Sequence, residues 1–559
     1  MRLASYTQPM RVGAALIGLV LALPVAADPE QLGSVSFETT CAAGVRVSFN
    51  RGVALLHDFW YDAAQRQFEQ VTESDPACAM AHWGIAMSVF HQIWNRPDDR
   101  TYAFGWKELQ QANSPAAKSA REREYIDALS SFYKPDTKDY QTRIDNYAAA
   151  MARLHHDYPD DVDGAAFDAL AMMASVPVGD TSLAHERGAL ELLTPLFERF
   201  PDHPGLAHYI IHASDSPALA REGLGAAQGY GRIAGSAPHA AHMPGHIFAR
   251  LGMWQADIDA NLASVAASRV AEQRHLSGAM DQLHADEFLL YAYLQSGQDA
   301  RAREILDSVP ALISRFDAMP DMTHDWMKDQ FPYYRAKFPV FYALERRDWE
   351  AAAALEPIPG TPPESETLTY WARMIASGHL HRSEQARADA ATYEALVVQV
   401  RNGKHPYYVD GTGGRIERGE ALAWVAFAEG RPDQALKIMR ENADLQDRVG
   451  QGEVDIPARE MLADMLLESA QPQAALVEYD RALELSPKRF NGLFNAGRAA
   501  EAAGDRGRAQ KYYSDLIQST NGGTQSLRPE IAHAKSYLHL AAAVMGSRRS
   551  QHSLPHENT

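Results

Sequence analysis

The chain has 559 residues, of which 46% are hydrophobic, too apolar for a disordered protein and enough for three or four domains or one long repeat array. Aspartate and glutamate number 72 against 53 lysines and arginines, so the net charge is -19, which repels phosphate backbones and excludes nucleic acid as a partner. Only 9% of residues are aromatic and alanine is abundant, which points to helices rather than a β-sandwich.

Reading from the N-terminus, Arg2 and Arg11 precede an apolar run from Val12 to Leu23, and Pro24 is followed by the small residues Val25, Ala26 and Ala27. This is the pattern of a cleaved signal peptide over residues 1–27. The run is short for a membrane span and nothing later approaches that length, so a periplasmic or secreted protein is expected, with no membrane insertion once the leader is removed. Cys41 and Cys78 are the only cysteines. In an oxidising compartment they pair most simply as one disulfide, tying the N-terminal segment to the first helices; two buried free thiols are the alternative. No Cys-x-x-Cys-His is present, which excludes covalent haem.

The next segment carries a spacing that returns along the chain. Gly52, Ala64, Phe68 and Pro76 stand in the same relative positions as Ala463, Ala475, Tyr479 and Pro487, and Gly497, Ala509 and Tyr513 repeat the pattern 34 residues further on. Small residues let two helices touch, the aromatic fills the groove between hairpins, and proline stops the second helix. A second hairpin begins at Ala79, and others are expected around 162–201, 204–237, 238–270, 283–309, 333–355, 368–400 and 418–448. The stretch from Glu356 to Glu364 holds four prolines and breaks helical periodicity. A glycine-rich loop from Gly403 to Gly419 has no phosphate-loop spacing, and no nucleotide is expected.

On these residues the chain resembles tetratricopeptide repeat (TPR) proteins. The segments "FNRGVALLHDFWYDAAQRQF", "CAMAHWGIAM", "LAHYIIHASD" and "HMPGHIFARLGMW" look like those of exported bacterial TPR proteins, a likeness that brings no catalytic assignment with it. The resemblance implies an all-α fold, a TPR-like α-solenoid of antiparallel helix hairpins wound into a right-handed superhelix. Two arrays are expected, 28–355 and 368–545, with a Pro-rich linker at 356–367 and a disordered polar tail at 546–559.

Eight of the 22 histidines lie between His203 and His284. His208 and His212 are four residues apart, and His239, His242 and His246 follow at intervals of three and four, so each set shares one helix face. His208 and His242 are 34 residues apart, as are His212 and His246, which makes them equivalent positions of consecutive hairpins. The repeat frame aligns His284 with His239 and Glu287 with His242. By resemblance to TPR proteins, these positions line a concave groove.

His208, His212, His239, His242, His246 and His284 are therefore expected to converge as metal ligands. Imidazole-dominated sets suit zinc, copper or iron rather than calcium or magnesium. Asp163, Asp215, Glu287, Tyr291, His57, His91 and Trp83 are expected to line the same groove, with His203 and His275 as bystanders. The leading expectation is an exported solenoid that binds one or more transition-metal ions and/or a protein or peptide partner in its groove. Two alternatives stay open. One is a metal-dependent enzyme that activates water or dioxygen, with Glu287 or Asp215 as general base. The other is an interaction scaffold without metal.

Overall fold

The computed structural model describes residues 30–93, 96–113, 118–137, 139–276, 278, 280–319 and 330–539. The expected leader 1–27 and the polar tail 546–559 lie outside the described residues. Among the described residues the regular structure is helical throughout, in twelve successive hairpins. The first pairs Arg46–His57 with Tyr61–Ser74, and the second pairs Ala79–Ser88 with Asp99–Ala112. A hairpin that the repeat spacing did not reveal follows, Ala120–Tyr133 with Tyr140–Asp157. The expected hairpins come next, from Val162–Ala174 with Ala184–Arg199 to Phe490–Ala502 with Arg506–Ser519. The protein is a TPR-like α-solenoid.

Local chemistry explains where the helices start. Asp98, Asp139, Asp161 and Asp505 each accept a hydrogen bond from the backbone N–H three residues on. Ser119 and Glu122 form a reciprocal capping box. The repeat positions do what their spacing implies. A Cβ on Gly84 would stand 2.5 Å from the ring of Phe68, so the absence of a side chain is what lets that ring wedge between the first two hairpins.

The first helices of the hairpins face inward and pack on one another. Residues 32–271 form one core cluster and residues 249–534 a second, so the division falls near the hairpin built on Trp254. The Pro-rich turn before Pro363 bends the chain between two hairpins inside the second cluster; it does not separate two cores. The later hairpins also fold back on the middle ones. The Trp254 Nε1–H donates to the Lys488 carbonyl, the Phe490 N–H donates to Gln295, and Arg489, 1% exposed, pairs with Glu345 and Glu460.

An N-terminal strap crosses the outside of the first hairpins. The Ser34 N–H donates to the Asp202 carbonyl, and Phe37 stacks on Trp83 and Tyr125. Cys41 and Cys78 lie at disulfide distance, with Cα atoms 4.7 Å apart, and fasten this strap to the second hairpin. None of the described helices is long and apolar enough to cross a membrane.

Candidate functional site

Three consecutive inward helices carry the histidines. Pro204–Ser214 starts on His203, whose Nδ1 accepts the Leu206 N–H, and presents His208 and His212 one turn apart. The next inward helix is divided at Pro244 into Pro238–His242 and Pro244–Arg250, because proline has no N–H for the ladder. It presents His239, His242 and His246. Asp281–Gln295 presents His284, Glu287 and Phe288.

The six histidines do not form one cluster but two adjoining triads. In the first, ring nitrogens of His208, His212 and His239 all lie within 4.8 Å of one another. The Nε2 of His208 is 3.1 Å from that of His212 and 3.2 Å from that of His239. In the second, His242, His246 and His284 meet the same criterion, and the Nε2 atoms of His242 and His246 are 2.9 Å apart. The His239 and His242 rings, one from each triad, are centred 6.4 Å apart. Each triad is roofed by a phenylalanine. Phe59 lies 4.4, 5.4 and 5.7 Å from the rings of His208, His212 and His239. Phe288 lies 4.6, 5.0 and 5.3 Å from those of His242, His246 and His284. Phe59 holds this place with a positive φ of 55°, an uncommon conformation for an aromatic residue.

The opposite edges of the rings are held by oxygen acceptors. The Nδ1–H of His208 donates to the His57 carbonyl at 2.6 Å, and that of His242 to Asn261 Oδ1, also at 2.6 Å. Asn261 can be oriented only one way, since its amide donates to the Asp257 carbonyl and carboxylate. Gly245 leaves room for it: a Cβ there would stand 2.8 Å from the Asn261 amide nitrogen. His246 Nδ1 faces Asp215 at 2.9 Å and Glu453 at 2.8 Å, and His284 Nδ1 faces Glu287 at 3.2 Å. His208, His242 and His284 are thereby fixed as tautomers whose Nε2 lone pairs face the triads, while His246, between two carboxylates, turns its Nε2 toward His242. Asp215 and Glu287 stand on the Nδ1 side, where they orient imidazoles, rather than at the converging nitrogens where a general base would act. Arg250 pairs with both Asp215 and Glu453, balancing one of their two charges, and Lys337 pairs with Glu287.

Electrostatics separate the rings. Burial, joined by repulsion from neighbouring imidazoles, pushes His208, His239 and His242 far below the ordinary histidine range and His212 down to about 3. Burial also opposes a charge on His246, but the Asp215 and Glu453 carboxylates overcome it and hold that ring up at about 10. Glu287 is buried yet held down to about 2 by Lys337 and His284.

The remaining expected site residues are placed elsewhere. His57 and Asp163 form a separate buried network with His203, which the spacing had set aside: His57 Nε2 and His203 Nε2 donate to Asp163 Oδ1 at 2.9 and 3.2 Å, and Tyr209 meets His57 Nδ1. This network is satisfied as it stands, and it fixes the His57 carbonyl that orients His208. His91 stacks on Tyr61, Trp83 is packed between Phe37 and Tyr125, and Tyr291 donates to the Asp455 carbonyl where the later hairpins fold back. His57, Asp163, Trp83, Glu287 and Tyr291 are all below 9% exposure; His57, Trp83 and Tyr291 are packed among the chain's own helices, while Asp163 borders a cleft beside Tyr158 and His203, and Glu287 a cavity beside His284. Spacing gave no signal for Asn261, Glu453 or Phe59, which reach the triads from a second helix, a distant loop and an inter-helix turn.

No family model matches the sequence, and no curated protein matches it. Among solved structures, the TPR domain of P58(IPK) is similar at 15% identity, over 68% of this chain and 99% of that one, with a TM-score of 0.21. The TPR-like character of the chain rests on its own twelve hairpins and on the glycine–aromatic contacts between them.

Proposed function

We propose that this solenoid is a scaffold for a transition-metal centre with two adjoining three-histidine sites, His208/His212/His239 and His242/His246/His284. The observation that carries the reading is the approach of His242 Nε2 to His246 Nε2 at 2.9 Å while the Nδ1–H of each ring is committed to an oxygen. Two nitrogens so placed need a cation between them: without metal it is the proton that Asp215 and Glu453 hold on His246, and a metal would take that place. A third imidazole at each site completes the ligand number of an open catalytic-type metal site. All-nitrogen donors of this kind suit zinc, copper or iron. Oxygen acceptors on the rear nitrogens raise the basicity of the ligands, and the phenylalanine roofs cover one side of each site. An exported protein fits this reading, since Cys41 and Cys78 stand at disulfide distance.

The test is elemental analysis of the full chain after metal loading and desalting. Two equivalents of one transition metal per chain are expected. His212→Ala and His284→Ala should each retain about one equivalent, and the double variant none. A chain that binds no metal tightly, or whose uptake ignores both substitutions, overturns the proposal.

A protein or peptide partner is the second reading. It is favoured by the usual role of TPR modules and by a 770 Å³ groove between Gly252–Gln255 and the Asp480–Asn521 region. Such a partner would sit away from the histidines.

A further inference from the structure

A partly open cavity of 360 Å³ lies where the later hairpins fold over the second triad. The helices Asp281–Gln295 and Phe331–Glu345 wall one side; Pro363–His379, Thr412–Ala428 and the segment before Ile456 wall the other. The His284 side chain, 39% exposed, reaches into it, so the cavity adjoins one proposed ligand directly. Tyr333, Phe341 and Trp371 form the apolar wall, and Glu417, Glu420 and Asp455 the acidic one. Lys337, the lysine on that wall, is already committed to Glu287.

Glu420 is the telling residue. It is 2% exposed and lines the cavity, its Oε2 accepts the Trp371 Nε1–H at 3.2 Å, and no described residue donates to its Oε1. No described arginine or lysine pairs with Glu417, Glu420 or Asp455. Burying carboxylates without a counter-ion is costly. Burial pushes all three carboxyls up, Glu417 to about 7, and repulsion from Asp455 adds to the rise at Glu417 and Glu420.

We infer that this cavity binds a small organic cation, a primary amine carried on an aromatic body, with the ammonium among Glu417, Glu420 and Asp455 and the ring against Trp371 and Phe341. The volume suits one such molecule. An aromatic wall next to carboxylates satisfies both halves of the ligand, through apolar burial and charge-assisted hydrogen bonds. That the bound amine is presented to a metal at His284 rests on the proposed function above; the binding itself does not.

Calorimetry on the full chain, metal-free, with phenethylamine, phenethyl alcohol and phenylacetate tests the cavity. Phenethylamine should bind at least about tenfold more tightly than the other two. Glu420→Gln and, separately, Asp455→Asn should each weaken it by about tenfold while thermal melting stays cooperative. Equal affinity for the alcohol, or no binding of any probe, overturns the inference whatever the metal content. In the copper(II)-loaded chain, proton relaxation of bound phenethylamine should be strongly enhanced, and in the zinc(II)-loaded chain it should not. Binding without that enhancement overturns the placement beside His284. Failure to load copper counts against the metal centre and leaves the calorimetric result standing.

Discussion

At the scale of single residues, the site depends on atoms behind the histidines as much as on the histidines. Asn261 is the clearest case, because it fixes the tautomer of a proposed ligand without facing the metal. Asn261→Ala should lower metal affinity by about 10–100-fold, read by chelator competition, with little loss of helical content. Asp168 makes a different prediction. It is 6% exposed, and burial raises its carboxyl to about 6. Its folded form holds the proton more tightly than the unfolded chain does, so the stability this contributes is complete below about pH 4 and is lost as pH rises through about 6. Asp168→Asn should therefore raise stability at pH 8 by on the order of 1–3 kcal/mol and leave it unchanged at pH 4, measured by urea unfolding at the two values. Four of the six ligand candidates were legible from their 34-residue offsets, and His239 and His284 from the repeat frame. Asn261 and Glu453 were not, since nothing in their spacing refers to the histidine they orient.

At the scale of elements, several hairpin joints are a glycine facing an aromatic, as at Gly84, Gly105, Gly378 and Gly497. Gly84→Val should drive Cβ into the Phe68 ring and destabilise the chain by about 1–3 kcal/mol, seen as a lower denaturant midpoint with an unchanged slope. The hairpins whose joints keep the small–aromatic–proline rhythm were readable from the sequence. Ala120–Tyr133 with Tyr140–Asp157 was not, because its contact is made the other way round: Gly105 of the preceding hairpin receives Tyr133. The Pro-rich stretch before Pro363 also misled. Proline stops a helix, but whether it separates two cores depends on what packs across the turn, and here the Pro363–His379 helix packs directly on Phe331–Glu345 and Trp349–Ala353.

At the scale of the whole molecule, closure is what turns an open array into a buried site. Arg489 joins Glu345, Glu460 and Tyr291 across nearly 200 residues of chain, all of them nearly inaccessible to solvent. Arg489→Met should leave buried Glu345 without a cation and Glu460 with only the more distant Arg347, and cost about 3–5 kcal/mol. Hydrogen exchange should then rise first at the 450–495 contact with the middle hairpins, and adding Glu345→Gln with Glu460→Gln should restore part of the loss. The sequence by itself determined the helical hairpins, their order, and the alignment of six histidines on three successive inward helices, because those follow from repeat spacing and helix period. Only the tertiary structure decided that the histidines divide three and three, that the inner faces are covered by the chain itself, and that an acidic cavity adjoins His284. Those features arise from contacts between hairpins far apart in sequence, whose geometry accumulates from every small turn of the superhelix and is written in no single repeat.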